Sequence, residues 1–232
     1  NTGAVSLLVS YTVIPRSAAG CFGKPQVITL TINPEPVVAS GLDDTICSDL
    51  AIGLTLSTNG TSVAANDYNM TTVTIPAGLT AAGVNAAVPA TGVAANYLAA
   101  DSYTNTTASA LNVTYTIVPR SADLCLGDPK VITITIDPEP VVAINLDAAK
   151  CSDEAIGITL NTNGTSVVAA NYNITNINVP GGLVASGSNV ALANGVAANY
   201  LALDVYTNTT AGPLGVQYTV VPVSAASCEG NP

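Results

Sequence analysis

Two clusters of carboxylates hold most of the chemistry this chain could do. Asp43, Asp44 and Asp49 stand close together, and Asp147, Asp153 and Glu154 repeat the arrangement further along. A hard cation such as Ca²⁺ takes several oxygen ligands, so each cluster is a place to look for one. No Asp-x-Asp-x-Asp-Gly loop accompanies either cluster, and without that spacing the plainer reading is loop solvation. Histidine is absent, which removes Ser-His and Cys-His pairs and imidazole proton transfer. The remaining reactive groups are five cysteines with no Cys-x-x-Cys spacing, a pattern that argues against zinc. The expectation is a chain that is not an enzyme and needs no cofactor, with Ca²⁺ at the clustered aspartates as the one metal alternative.

The elements that position these residues come in copies. Tyr11-Thr-Val-Ile-Pro15 recurs as Tyr115-Thr-Ile-Val-Pro119 and Tyr218-Thr-Val-Val-Pro222, offset by 104 and 103 residues. Cys21, Cys125 and Cys228 keep the same offsets, and Cys47-Ser-Asp recurs as Cys151-Ser-Asp. Common solenoid units are about 20–50 residues, so a period this long suits one whole domain per copy. The expected division is 1–36 as the end of one unit, 37–140 as a complete unit and 141–232 as a unit lacking its last strand. On that frame the chain reads as a window from a longer repetitive polypeptide.

Alternation with period two predicts strands at 51–58, 68–76, 111–119 and 131–137 within the complete unit, with weaker ones near 79–90 and 93–104. Asn59-Gly60 and Asn163-Gly164 supply turns. Tyr115 reads as a core residue whose hydroxyl caps a corner, with a ligand platform as the alternative. Pro-Glu-Pro at 34–36 and 138–140 favours an extended, semi-rigid linker. Some seven strands per copy predict an all-β fold of tandem Ig-like sandwiches of about 104 residues.

Composition closes off other classes. Five Lys and Arg against fifteen Asp and Glu give a net charge of −10, the wrong sign for nucleic acid. No run reaches the roughly 18 apolar residues of a membrane span. Seven Asn-x-Thr sequons, at Asn59, Asn69, Asn105, Asn112, Asn163, Asn173 and Asn208, read as turn and strand chemistry.

Repeated cysteines in a low-charge β protein predict disulfides and an oxidising compartment. Two connectivities fit the repeat. Pairing within a unit gives Cys47–Cys125 and Cys151–Cys228; pairing across the linker gives Cys21–Cys47 and Cys125–Cys151. The first is preferred because the intervening 131–137 strand would span about 33 Å with its flanks, a length a cross-linker bond must fold back over.

The series VTYTIVP at 113–119, CLGDP at 125–129, VITITIDPEP at 131–140 and Cys151-Ser152 resembles the PKD-like, Ig-fold repeats of very long Bacteroidota surface proteins. Asp49 and Asp153 depart from it, standing where that family usually has glycine, and the usual tryptophan is missing. The resemblance implies type IX secretion, display at the cell surface or in an extracellular filament, and a stalk-like adhesin role without catalysis. Its partners would be neighbouring units of the same chain or copies of the chain in a fibre. Asp44-Thr45-Ile46 is similar to the O-glycosylation pattern of that phylum, which makes Thr45 a candidate acceptor. The runner-up function is a glycan- or protein-binding unit using apical loops around 59–67 and 120–129.

Overall fold

The computed structural model describes all 232 residues, Asn1–Pro232, as fourteen β-strands and no helix. The chain is all-β, as its Thr, Val and Ile content predicts. No helix is present that could cross a membrane.

The first strands, β1 (Leu7–Val13) and β2 (Gln26–Ile32), form an antiparallel hairpin. A five-stranded sheet follows, built from β3 (Asp44–Cys47), β4 (Asp67–Thr74), β6 (Ala90–Val93), β8 (Leu111–Arg120) and β9 (Lys130–Asp137). Its order is β3-β9-β8-β4-β6, while β5 (Leu79–Ala81) and β7 (Tyr103–Asn105) pair separately. Every pairing is antiparallel except β3 with β9, which runs parallel. Residues 141–232 repeat the middle of this plan. There β10 (Ala169–Asn178), β12 (Ala193–Val196) and β14 (Gln217–Ser224) take the order β12-β10-β14, and β11 (Leu183–Ala185) pairs with β13 (Tyr206–Asn208). The register shift between Met70 and Thr72 recurs between Ile174 and Asn176.

Period-two side chains make the core. Val113, Tyr115 and Ile117 on β8 and Ile132, Ile134 and Ile136 on β9 are fully buried, against Ile52, Leu54, Leu56, Leu79, Leu98 and Tyr103. The threonines between them are only half-buried. Residues 51–58 thus deliver the expected alternation without forming a ladder. The Ile52, Gly53 and Leu56 amides donate to the carbonyls of Asp101, Ala99 and Ala95, a contour of turns and not a strand. The strand expected near 93–104 is replaced after Val93 by tight turns at Tyr97, Ala99 and Asp101, each amide donating three residues back. Those turns drop Leu98 into the core, which flat alternation of alanines could not do.

On β1 and β2 the matching residues Val9, Tyr11, Val13, Ile28 and Leu30 are 38–55% exposed, because nothing equivalent to 51–105 lies over them. In 141–232 no strand corresponds to β9, so β14 is a sheet edge. The buried core there shrinks to Leu160, Tyr172, Ile174 and Leu201.

Tyr115 is a core residue, although its hydroxyl caps no backbone corner. It donates to Asp101 Oδ2 at 2.9 Å and accepts from the Tyr103 hydroxyl at 2.9 Å. Asp101 Oδ1 accepts the Ala86 amide at 2.7 Å. Burial, followed by the Tyr103 hydrogen bond and the Asp101 charge, pushes the Tyr115 pKa upward, so it stays a donor. Tyr206, Tyr218 and Asp204 repeat this chain, with 2.9 and 2.6 Å links and Val190 as the amide donor. The network ties the large sheet to the smaller pair through charge-assisted bonds that burial strengthens.

Candidate functional site at the Pro-Glu-Pro joint

The structure disperses the clustered aspartates. Asp43 Oδ1 accepts the Thr133 amide at 2.7 Å and Asp44 Oδ1 accepts the Thr45 amide at 2.8 Å, so both serve the start of β3. Asp49 lies beyond the other end of that strand, where its carboxylate accepts the Thr104 hydroxyl. The intervening strand holds them apart, since each residue adds about 3.3 Å. Asp153 accepts the Thr207 hydroxyl, Glu154 pairs with Lys150 at 3.9 Å, and Asp147 is exposed. Asp43, Asp44 and Asp49, like Asp147 and Asp153, do not come together as a group of three or more carboxylate or cysteine side chains. Thr45 is exposed on β3. Asp49 and Asp153 have φ of 65° and 66°, a left-handed backbone that accounts for glycine being usual there.

What the fold does assemble is a joint, and it assembles it twice. Asn59 Oδ1 accepts the Thr61 and Ser62 amides, and Ser62 Oγ then accepts the Val37 amide at 3.0 Å. Asn163, Ser166 and Val141 do the same, again at 3.0 Å. The Val63 amide donates to the Gly3 carbonyl at 3.0 Å, and Val167 donates to Thr107 at 3.1 Å. The linker amides of Glu35 and Glu139 donate to the Asn1 and Asn105 carbonyls. All four linker prolines are buried. The linker is therefore packed on both sides, a firmer restraint than an extended Pro-Glu-Pro alone would provide.

The Cys-x-Gly-x-Pro turn closes the joint. Its geometry is shared by all three copies: the Cys21, Cys125 and Cys228 amides donate to the hydroxyls of Ser17, Ser121 and Ser224. Gly127 rests against the Pro36 carbonyl and Gly230 against the Pro140 carbonyl, so close that an added Cβ would overlap the oxygen. These glycines, with Ser62 and Ser166, are the joint residues that strand periodicity does not single out. Repetition of the whole turn was the one available signal. The loops 59–67 and 120–129 expected for a ligand thus supply joint contacts. All seven sequon asparagines are also committed to hydrogen bonds within the fold; Asn105 is fully buried and donates to Ile136 and Ser109.

The disulfide corrects both expected connectivities. Cys47 is bonded to Cys228, 181 residues away, with Cα atoms 5.3 Å apart. Neither Cys47–Cys125 nor Cys151–Cys228 forms, nor do Cys21–Cys47 and Cys125–Cys151; Cys21, Cys125 and Cys151 are free. The reason is directional. β3 runs parallel to β9 and brings Cys47 beside Asp137 at the linker end of the sheet. The Cys228 turn docks on that same linker from the next copy. Cys125 belongs to a turn docked on the other linker, beside Pro36.

Glu139, within the linker itself, is a buried acid, 3% exposed. Burial, and then the neighbouring Asp49 carboxylate, push its pKa up to about 7. The folded state therefore holds a proton that the unfolded state has released between about pH 4.5 and 7, and stability falls as pH rises through that window. In urea titrations the native chain should lose on the order of 2 kcal/mol from pH 4.5 to pH 8 relative to Glu139→Gln. Parallel profiles for the two proteins would refute this role for Glu139.

The chain belongs to the PKD-like domain family, whose model matches residues 1–36 and 44–140. No curated protein matches the sequence. Among solved structures it is similar to human CDH23 EC21-23 at 11% identity, covering 96% of this chain and 72% of that one, with a TM-score of 0.27.

Proposed function

We propose that this chain is a run of Ig-like sandwich units of about 104 residues, with boundaries at 1–36, 37–140 and 141–232, that works by spacing. Its Pro-Glu-Pro joints set a fixed relation between neighbours, and the string acts as a non-catalytic stalk or filament of an extracellular bacterial surface protein. The observation that carries this reading is the recurrence of one joint, bond for bond, on both linkers: Val63 to Gly3 and Val167 to Thr107, Gly127 on Pro36 and Gly230 on Pro140. A joint that repeats generates a regular rod, each unit adding about 40 Å from its strands and linker. Membership of a family of PKD-like domains supports a structural or binding role. The use of loops 59–67 and 120–129 inside the joint favours spacing over ligand capture. The partners are then neighbouring units and, in a fibre, further copies of the chain; the acidic surface opposes nucleic acid. Type IX secretion and O-glycosylation at Thr45 belong to the same reading.

Electron micrographs of the native chain should show straight particles with a one-unit axial repeat. In the variant carrying Gly127→Ala and Gly230→Ala the joints should open, since overpacking costs about 1–3 kcal/mol per site. Bent or globular native particles would remove the stalk reading.

A further inference from the structure

Three cysteines remain unpaired, and each occupies a position that is disulfide-bonded elsewhere in the same molecule. Cys125 sits in the turn equivalent to that of Cys228. The Ser121 and Ser224 amides donate to the Cys125 and Cys228 carbonyls at 2.9 and 2.8 Å, and Gly127 and Gly230 donate to Pro119 and Pro222 at 2.9 and 2.8 Å. Both turns dock on a Pro-Glu-Pro linker through a glycine with no room for a side chain. Cys151 sits in the turn equivalent to that of Cys47. The Asp49 and Asp153 amides donate to the Tyr103 and Tyr206 carbonyls at 2.9 and 3.0 Å, and the Ser48 and Ser152 hydroxyls accept the Asn105 and Asn208 amides at 2.8 Å.

We propose that Cys125 and Cys151 are half-sites of the same inter-unit staple as Cys47–Cys228, each awaiting a cysteine from a further unit of the same repeat. Cys125 receives the cysteine of a Cys-Ser-Asp turn from the unit before it. Cys151 receives the cysteine of a Cys-x-Gly-x-Pro turn from the unit after 141–232. This rests on the repeated-unit reading above, because only a neighbour in the same joint geometry presents its sulfur there. Closing each staple releases two protons from two thiols. The two electrons pass to a small-molecule disulfide, which is cleaved to two thiols through a mixed-disulfide intermediate.

The test continues the chain past Pro232 with a second copy of residues 130–232, which supplies the missing strand, linker and docked turn. The extended chain is refolded in an oxidised and reduced glutathione buffer, free thiols are alkylated, and disulfide-linked peptides are mapped. In the 232-residue chain Cys151 is alkylated. In the extended chain it is protected and linked to the added copy of Cys228, while Cys47–Cys228 is retained. The proposal is overturned if Cys151 stays alkylated while Cys47–Cys228 forms, or if it pairs with Cys21 or Cys125. It is equally overturned if neither staple forms, because the template bond is then absent. Micrographs of the same sample report separately on the stalk: straight particles with Cys151 free would leave that reading standing and remove only the staple.

Discussion

Pulled from its two ends with Cys47–Cys228 intact, the chain should lengthen only by the segments outside the bond, and reduction should release about 600 Å more. The bond spans 181 residues, and an extended chain covers about 3.5 Å per residue. While the bond holds, force runs along the backbone to Cys47, crosses the sulfurs and leaves through Cys228. The whole of β4 through β14 lies off that route. Single-molecule extension with and without a reductant reads this directly, and identical traces in both conditions would sink it. The same bond closes a loop long enough that the entropy model assigns it about 5 kcal/mol. Cys47→Ser should therefore lower the denaturant midpoint as well as restore full extensibility.

Tyr115→Phe should destabilise the chain by about 1–3 kcal/mol, because the Asp101 carboxylate loses a donor where water cannot replace it. Asp101 is 2% exposed, and its remaining partner among the observed bonds is the Ala86 amide. Tyr115→Ala should cost about 3–5 kcal/mol, the lost hydrogen bonds adding to a cavity beneath β8 and β9. Tyr11 provides an internal control. It occupies the same position in the repeat, in a closely similar local sequence, yet is 55% exposed on β1. Tyr11→Phe should stay within about 0.5 kcal/mol of the parent. Urea midpoints that move equally for Tyr11→Phe and Tyr115→Phe would show that the hydroxyl network contributes nothing.

Much of this fold was legible because β8 and β9 alternate cleanly and bury one face, which β4 continues at Tyr68 and Met70 up to its register shift. The turns at Asn59 and Asn163 were equally readable, each asparagine gathering two amides as its type suggests. β3 was not. Four residues, Asp44–Cys47, carry too little pattern to register as a strand, and its parallel partner β9 lies almost a full repeat away in sequence. Missing β3 also made Asp43, Asp44 and Asp49 look like neighbours in a loop. The disulfide escaped for a related reason. The bond lies neither within one copy nor between the two cysteines nearest a linker in sequence; it joins the start of one copy to the end of the next, after nearly two repeats. Its geometry depends on how one sheet end faces the next unit's turn. No periodicity within a strand records that relation; Gly127 and Gly230, which make it, read simply as turn glycines.

The bond between Cys47 and Cys228 has a further consequence for survival outside a cell. A peptidase that nicks any loop between those residues, such as the exposed stretch around Val84, severs one peptide bond without separating the pieces. Both fragments remain a single covalent particle until a reductant arrives. Damage of that kind adds only a water to the particle and leaves its band in a non-reducing gel whole, and the two fragments part only on reduction.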